Sequence, residues 1–187
     1  MTFESKQMNS SPRPIPALIW SALLILVLTA CRQPSPSDTP PDPAALAETL
    51  IETNKLLLEA ERQDIMDFIS RYGWDTRETG SGLHYYIYRE GHGPLAEKGQ
   101  FALIDFSVCL LTGEEIYSSR ESGPRRFLIG QGGVESGLEE GILLMKQGDR
   151  AKLIMPPHLA HGLPGDGDRI PLRATIVYDV ELLELNQ

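Results

Sequence analysis

SGLEEGILLMKQGDRAKLIM, residues 136–155, contains a complete change of structural period, and its reading decides the fold. Ser136-Gly-Leu-Glu139 has the form of a capping box, in which a serine hydroxyl and a glutamate carboxylate satisfy the free N–H groups at a helix start. Leu138, Ile142 and Met145 fall on one face of the helix this would open, and Gly148 stands where such a helix stops. Directly afterwards Asp149–Met155 reads as a strand. A single short amphipathic helix delivering a strand predicts a sheet whose one apolar face that helix covers.

Outward from this stretch the pattern is of strand type. Leu83–Arg89 is aromatic and β-branched, and Ala102, Ile104, Phe106, Val108 and Leu110 alternate along a strand with one apolar face. Arg126–Ile129 and Arg173–Leu185 are further strands, separated by glycine-rich turns. The expected fold class is therefore α+β: an antiparallel β-sheet wrapped on one short helix, preceded by a long N-terminal helix. Its sheet domain covers residues 80–187.

Upstream, Asp42 is an N-cap with Pro43 at the first helical position, and neither glycine nor proline follows until Gly73. A helix over 43–72 follows, within an N-terminal helical segment 43–75. Ile51, Leu58, Ile65 and Tyr72 recur every seventh residue along it, with Phe68 and Ile69 beside the later ones. Such a stripe must be buried. Packing on the domain that follows and self-association as a homodimer through residues 43–72 are both open.

Residues 31–42 include RQPSPSDTPPD, whose prolines and lack of large apolar residues make an extended spacer. Before it, Ala17–Ala30 is an apolar run interrupted only by Ser21 and Thr29, and Lys6 and Arg13 precede it. A bilayer-spanning helix needs roughly 20 apolar residues, so this shorter run fits a cleaved secretory signal, residues 1–30. Leu28-Thr29-Ala30-Cys31 resembles the bacterial lipobox, and implies lipidation of Cys31 and attachment to a membrane. Arg32 after that cysteine is not an inner-membrane retention aspartate, which favours the outer membrane, with the domain facing the periplasm of the cell envelope.

The net charge is −9; without residues 1–30, 15 basic residues oppose 25 acidic ones. That surface repels phosphate backbones and argues against nucleic acid as a partner. Cys109 is the one cysteine left after Cys31, so no internal disulfide forms and stability rests on the core. In an alternating apolar stretch, Cys109 reads as a half-buried small hydrophobe. No glycine-rich phosphate loop, Gly-x-Ser-x-Gly elbow or paired-cysteine metal spacing is present, and no cofactor is implied. His158 and His161, with Asp166 and Asp168 nearby, lack the spacing of a metal site.

Specificity comes from segments in fixed order: Lys98-Gly99-Gln100, Tyr117-Ser-Ser-Arg120, Val134-Glu-Ser-Gly-Leu-Glu-Glu-Gly141, Met145 to Gly148 running into Arg150-Ala-Lys-Leu153, Pro156-Pro-His-Leu-Ala-His-Gly162, Ile170-Pro171, and Ala174 to Leu183. Together, over about residues 80–185, they resemble the FKBP-type peptidyl-prolyl isomerases. With the lipobox and helix ahead of them, the whole chain resembles the lipoprotein forms of Gram-negative bacteria, among them the gliding-motility-associated type of the Bacteroidetes.

The resemblance implies a hydrophobic hollow between sheet and helix that receives the proline of an X-Pro segment and lets its imide bond twist. It implies a floor at Leu138, where many relatives have tryptophan, and walls including Phe106, Val134, Ile170 and Tyr178. It puts Glu135 where an apolar residue's backbone N–H contacts ligand, and His161 where a tyrosine usually hydrogen-bonds substrate. Ile116-Tyr117 replaces the family's Phe-Asp, and Ser122 fills the place of the arginine that pairs with that aspartate. An aromatic wall position after Ser122 is also lost, with Arg125 near it. Two functions follow: an isomerase assisting the folding of exported proteins, or a proline-peptide-binding module or chaperone of low or no activity on the same fold.

Overall fold

The computed structural model describes residues 42–186. The predicted signal, Cys31 and all of the spacer except Asp42 lie outside the described residues. The chain divides into two compact units, residues 1–47 and 48–187, and of the first only Asp42–Ala47 are described.

Helix α1 is Pro43–Tyr72. It begins where proline's fixed φ is compatible with a first turn, and an Asp42 carboxylate oxygen accepts the Ala44 N–H at 3.0 Å. It ends in a Schellman motif: Gly73, at φ 64°, donates to Ser70 O at 3.2 Å, and Trp74 donates to Ile69 O at 3.3 Å. Glycine suits that φ, which residues with a Cβ adopt only rarely.

Seven strands form one antiparallel sheet: β1 (Arg77–Glu78), β2 (His84–Arg89), β3 (Phe101–Leu110), β4 (Glu115–Ser118), β5 (Arg125–Leu128), β6 (Arg150–Met155) and β7 (Ile176–Asn186). Their order is β1-β2-β6-β7-β3-β4, and β5 lies beside the first half of β3. β3 pairs with β7 along its whole length, from Phe101↔Asn186 to Leu110↔Ile176. Strand alternation then sorts the residues. Ala151, Leu153 and Met155 of β6 and Ile176, Tyr178, Val180 and Leu182 of β7 enter one large core, while Ile154 and Val177 point to the other face.

Helix α3 (Ser136–Ile142) covers the inner face; α2 (Ser119–Ser122) is a single turn, and Pro157–Leu159 is a 3₁₀ turn. Two glycines set how closely α3 lies. A Cβ on Gly141 would stand 2.5 Å from Leu153 Cδ1, and one on Gly137 2.6 Å from Met155 Sδ. Leu138, Ile142 and Met145 are fully buried, as the apolar spacing requires.

The capping box does not form. The N-cap is Glu135, without a side-chain cap bond; Ser136 Oγ instead donates to Leu159 O at 3.3 Å, and Glu139 accepts the Gly132 N–H at 3.0 Å. Tertiary partners outside the helix have taken both side chains, and the helix also ends at Ile142, before Gly148. The heptad stripe divides as well. Ile65, Phe68 and Ile69 are buried with Ile154 and Val177 on the outer face of the sheet, whereas Ile51 and Leu58 are exposed. Among the described residues no helix is long and apolar enough to cross a membrane.

Candidate active site

At one end of the inner face, the sheet and α3 leave a cavity of about 590 Å³. Phe106 of β3, Tyr117 of β4, Glu135 at the head of α3, His161 from the loop after the 3₁₀ turn and Tyr178 of β7 line it. Ser122, Gly123, Pro124, Arg125, Arg126 and Asp166 complete the lining. The sheet supplies the flat aromatic part: the rings of Phe106 and Tyr178, on neighbouring strands, lie 5.9 Å apart.

The other expected site residues lie deeper. Leu138, Ile116 and Ile170 are buried in the core, and Val134 is partly buried against it. They support the lining from behind.

Glu135 organises the polar part. Its side chain is 8% exposed, and one carboxylate oxygen accepts the Tyr178 hydroxyl at 2.9 Å and His161 Nε2 at 3.2 Å. The other oxygen meets Arg125 Nη1 at 3.5 Å, while Arg125 Nη2 donates to Gly133 O at 3.3 Å. Burial, together with the adjacent Glu135 charge, pushes the Tyr178 hydroxyl far above the ordinary tyrosine range, so it stays protonated and donates.

A second acid enters from the loop. One Asp166 oxygen accepts the Tyr117 hydroxyl at 2.5 Å, and the other accepts the N–H groups of Asp168 at 2.9 Å and Ile170 at 2.8 Å. Burial alone would raise the Asp166 carboxyl, but these three hydrogen bonds outweigh it and bring it down to about 2. The Tyr117 hydroxyl is raised by its bond to Asp166 and then by burial. The Arg169 guanidinium lies 5.1 Å over the Tyr117 ring.

His158 does not join this site: its Nε2 lies 2.8 Å from Ser81 O. With His161 held by Glu135 and Asp166 bound within its own loop, no group that could hold a metal ion occurs among the described residues. Cys109 is half-buried, and burial raises its thiol, so it has no nucleophile's setting.

A model of the FKBP-type peptidyl-prolyl cis-trans isomerases matches residues 93–183. FK506-binding protein 2 of Dictyostelium discoideum is 40% identical over 91 residues, which are 48% of this chain and 68% of that protein. The chain belongs to the FKBP-type peptidyl-prolyl cis-trans isomerase family. The probable FKBP-type isomerase FkpA of Neisseria meningitidis serogroup B is 34% identical over 110 residues, 58% of this chain and 40% of the relative. In fold, FkpA from Escherichia coli superposes with a TM-score of 0.61 over 93% of this chain and 74% of its own, at 23% identity.

As an FKBP-type isomerase the chain acts on proline-containing peptides and assists protein folding. Its polar groups are rearranged at the lining. Tyr117 and Ser122 leave no aspartate–arginine pair between those two positions, and Ser122 Oγ donates to Ser118 O at 3.1 Å. A carboxylate beside a guanidinium is nevertheless present, formed by Glu135 and Arg125. Sequence reasoning valued Glu135 for its backbone N–H and left Asp166 outside the site. Asp166-Gly-Asp168 does carry the signal of a side chain folding onto its own loop, but its bond to Tyr117 bridges 49 positions.

Proposed function

We propose that the cavity ringed by Phe106, Tyr117, Glu135, His161 and Tyr178 is where this isomerase holds the X-Pro bond, with Leu138, Ile116, Val134 and Ile170 backing it. The supporting observation is convergence: five residues from five separate segments meet at one cavity large enough for a proline and its neighbours. The uncatalysed barrier is about 18–20 kcal/mol, and about 1.4 kcal/mol removed from it is worth tenfold in rate. Water stabilises the charge-separated planar imide more than the twisted one. Transfer to the Phe106–Tyr178 surface lowers the barrier by favouring the twisted state, and no nucleophile is required.

A second reading, a binding module of low turnover, is favoured by Tyr117, whose hydroxyl is tied to Asp166. Protease-coupled isomerisation of an X-Pro tetrapeptide separates the two, run on the parent beside Tyr117→Asp and Leu138→Ala. Catalysis in the parent that drops with Leu138→Ala supports the enzyme site. An inactive parent that gains activity with Tyr117→Asp supports the binding module.

The same reading extends to the cell. Residues 1–30 are a signal, Cys31 carries lipid, 31–42 space the protein from the membrane, 43–75 form the helical segment and 80–187 the isomerase domain. The protein faces the periplasm from the outer membrane, as a lipoprotein of the gliding-motility-associated kind, and serves exported proteins. The lipobox form of residues 28–31 supports this, and Cys31→Ser should move the protein from the membrane to the soluble fraction. Leu50, Ile51, Leu57 and Leu58 continue the α1 stripe in exposed positions, which supports a homodimer through residues 43–72. Sedimentation should then give a dimer that Leu58→Lys dissociates; an unchanged mass with Leu58→Lys would sink the idea.

A further inference from the structure

The hydroxyl and imidazole donors lining the cavity are already engaged. The Tyr178 hydroxyl donates to Glu135 at 2.9 Å, the Tyr117 hydroxyl to Asp166 at 2.5 Å and Ser122 Oγ to Ser118 O at 3.1 Å. His161 is the group whose supply of protons changes with its own state. Its Nε2 lies 3.2 Å from a Glu135 oxygen that also receives the Tyr178 hydroxyl. An ionised carboxylate only accepts, so the ring carries its proton at Nε2. Neutral imidazole has one N–H. With that hydrogen on Nε2, Nδ1 is a bare lone pair and the ring has nothing to offer a substrate carbonyl. A second proton creates an Nδ1–H donor and leaves the Glu135 bond in place.

We propose that the Glu135 side chain is a positioning residue that holds His161 in the Nε2–H tautomer, so that His161 donates to the carbonyl of a bound X-Pro peptide only when protonated. Protonation of His161 therefore speeds isomerisation. This rests on the cavity being the substrate site. The groups facing the ring are Glu135 at the head of α3, Tyr178 of β7, Asp166 of the loop with its partner Tyr117 of β4, and Arg125 of β5 on the far oxygen of Glu135. His161 is partly exposed to the cavity, with its side chain 28% accessible, so solvent protons reach it.

The test uses the full chain with ¹⁵N-labelled histidine. Side-chain ¹⁵N–¹H spectra at pH 8 read the tautomer, and a protease-free assay on an X-Pro peptide without ionisable side chains reads kcat/KM from pH 5.5 to 8. The parent should show His161 as Nε2–H and lose about fivefold in kcat/KM across that range, the scale of one hydrogen bond. His161→Tyr, whose hydroxyl is present throughout, should give a flat profile. Glu135→Gln, whose amide can turn its donor to Nε2, should admit the Nδ1–H tautomer and flatten the profile by raising activity at pH 8. An Nδ1–H tautomer in the parent, or a Glu135→Gln profile that keeps the parent's slope, overturns the proposal. An active parent with a flat profile overturns the donor role alone. A parent inactive at every pH while His161 reads as Nε2–H overturns the reading of the cavity as an enzyme site, and the donor role with it.

Discussion

The two faces of the sheet are built from the same strands and cover themselves differently. On the inner face, Leu83, Ile104, Val108, Leu153, Met155, Tyr178 and Leu182 join Leu138, Ile142 and Met145 in a continuous core closed by a seven-residue helix. The outer face buries Ile154 and Val177 under Ile65, Phe68 and Ile69 of α1, and then turns to charge pairs. Lys152 meets Asp179 at 2.8 Å, and Arg150 donates to Glu181 through Nε at 2.7 Å. The candidate site lies on the densely packed face, where positions are fixed.

The largest effect should come from Ile142→Ala on the inner face. A fully buried isoleucine truncated to alanine costs about 2–5 kcal/mol, and Gly141, set against Leu153, leaves α3 little room to close the gap. Urea unfolding should show that loss, and isomerisation should fall with it because α3 carries Leu138, which backs the cavity. Normal activity in a destabilised Ile142→Ala protein would break the link between core and site.

Ile69→Ala tests the opposite face. Ile69 is buried, but its partners are few, so the cost should sit near the low end for such a truncation, about 2 kcal/mol. Hydrogen exchange should accelerate in α1 before it does in the sheet. kcat/KM should remain within about twofold, a change worth only ~0.4 kcal/mol of barrier. A larger loss of activity would mean that the two faces are coupled.

A third, smaller effect depends on pH. His84 sits opposite Ile154 on β2 and is nearly inaccessible. Burial holds its imidazole below the ordinary histidine value; the Arg62 charge adds to this and Glu78 opposes it. The folded state therefore takes up this proton less readily than the unfolded chain. Its contribution to stability is fully present above the unfolded value, about 6.5, and is lost as pH falls through the lower folded value. Stability should rise as the pH increases toward about 6.5, and His84→Leu should remove that part of the slope. Equal slopes for the two proteins in urea titrations would show that His84 is not the source.

Legibility in the sequence follows the length and locality of each signal. The bounds of α1 were readable because Asp42, Pro43 and Gly73 act on adjacent backbone. The long strands were readable within a residue or three at their ends, since alternation over six or more positions is distinctive. β1, with two residues, is too short for a period to show, and β4, with four, went unread although the equally short β5 was read. The cover of the Ile51–Tyr72 stripe was undecided because a seven-residue repeat suits a sheet and a second helix equally; the sheet ends before the stripe does. Phe106, Tyr117, Glu135, His161 and Tyr178, which line one cavity, entered the candidate site through the order of the family's segments. The bonds of Glu135 to Tyr178 and His161 cross 43 and 26 positions and leave no local trace.

The smallest expected effect sharpens the comparison most. Lys152 projects from the outer face, paired with Asp179 and lying 5.3 Å over the Trp74 ring and 5.6 Å over that of Tyr88. Tyr88 in turn donates to the other Asp179 oxygen at 2.7 Å, which, after burial, raises its hydroxyl to about 12. This looks like a network, yet it is solvated, and a partly exposed ion pair is worth about 0–1 kcal/mol. Lys152→Met should therefore change stability by less than about 1 kcal/mol, since its methylenes keep covering Trp74. The residual difference should shrink in high salt, which screens exposed charges. A loss as large as that of Ile69→Ala, unaffected by salt, would mean that the charge belt, and not the three apolar residues of α1, fastens the helix to the sheet.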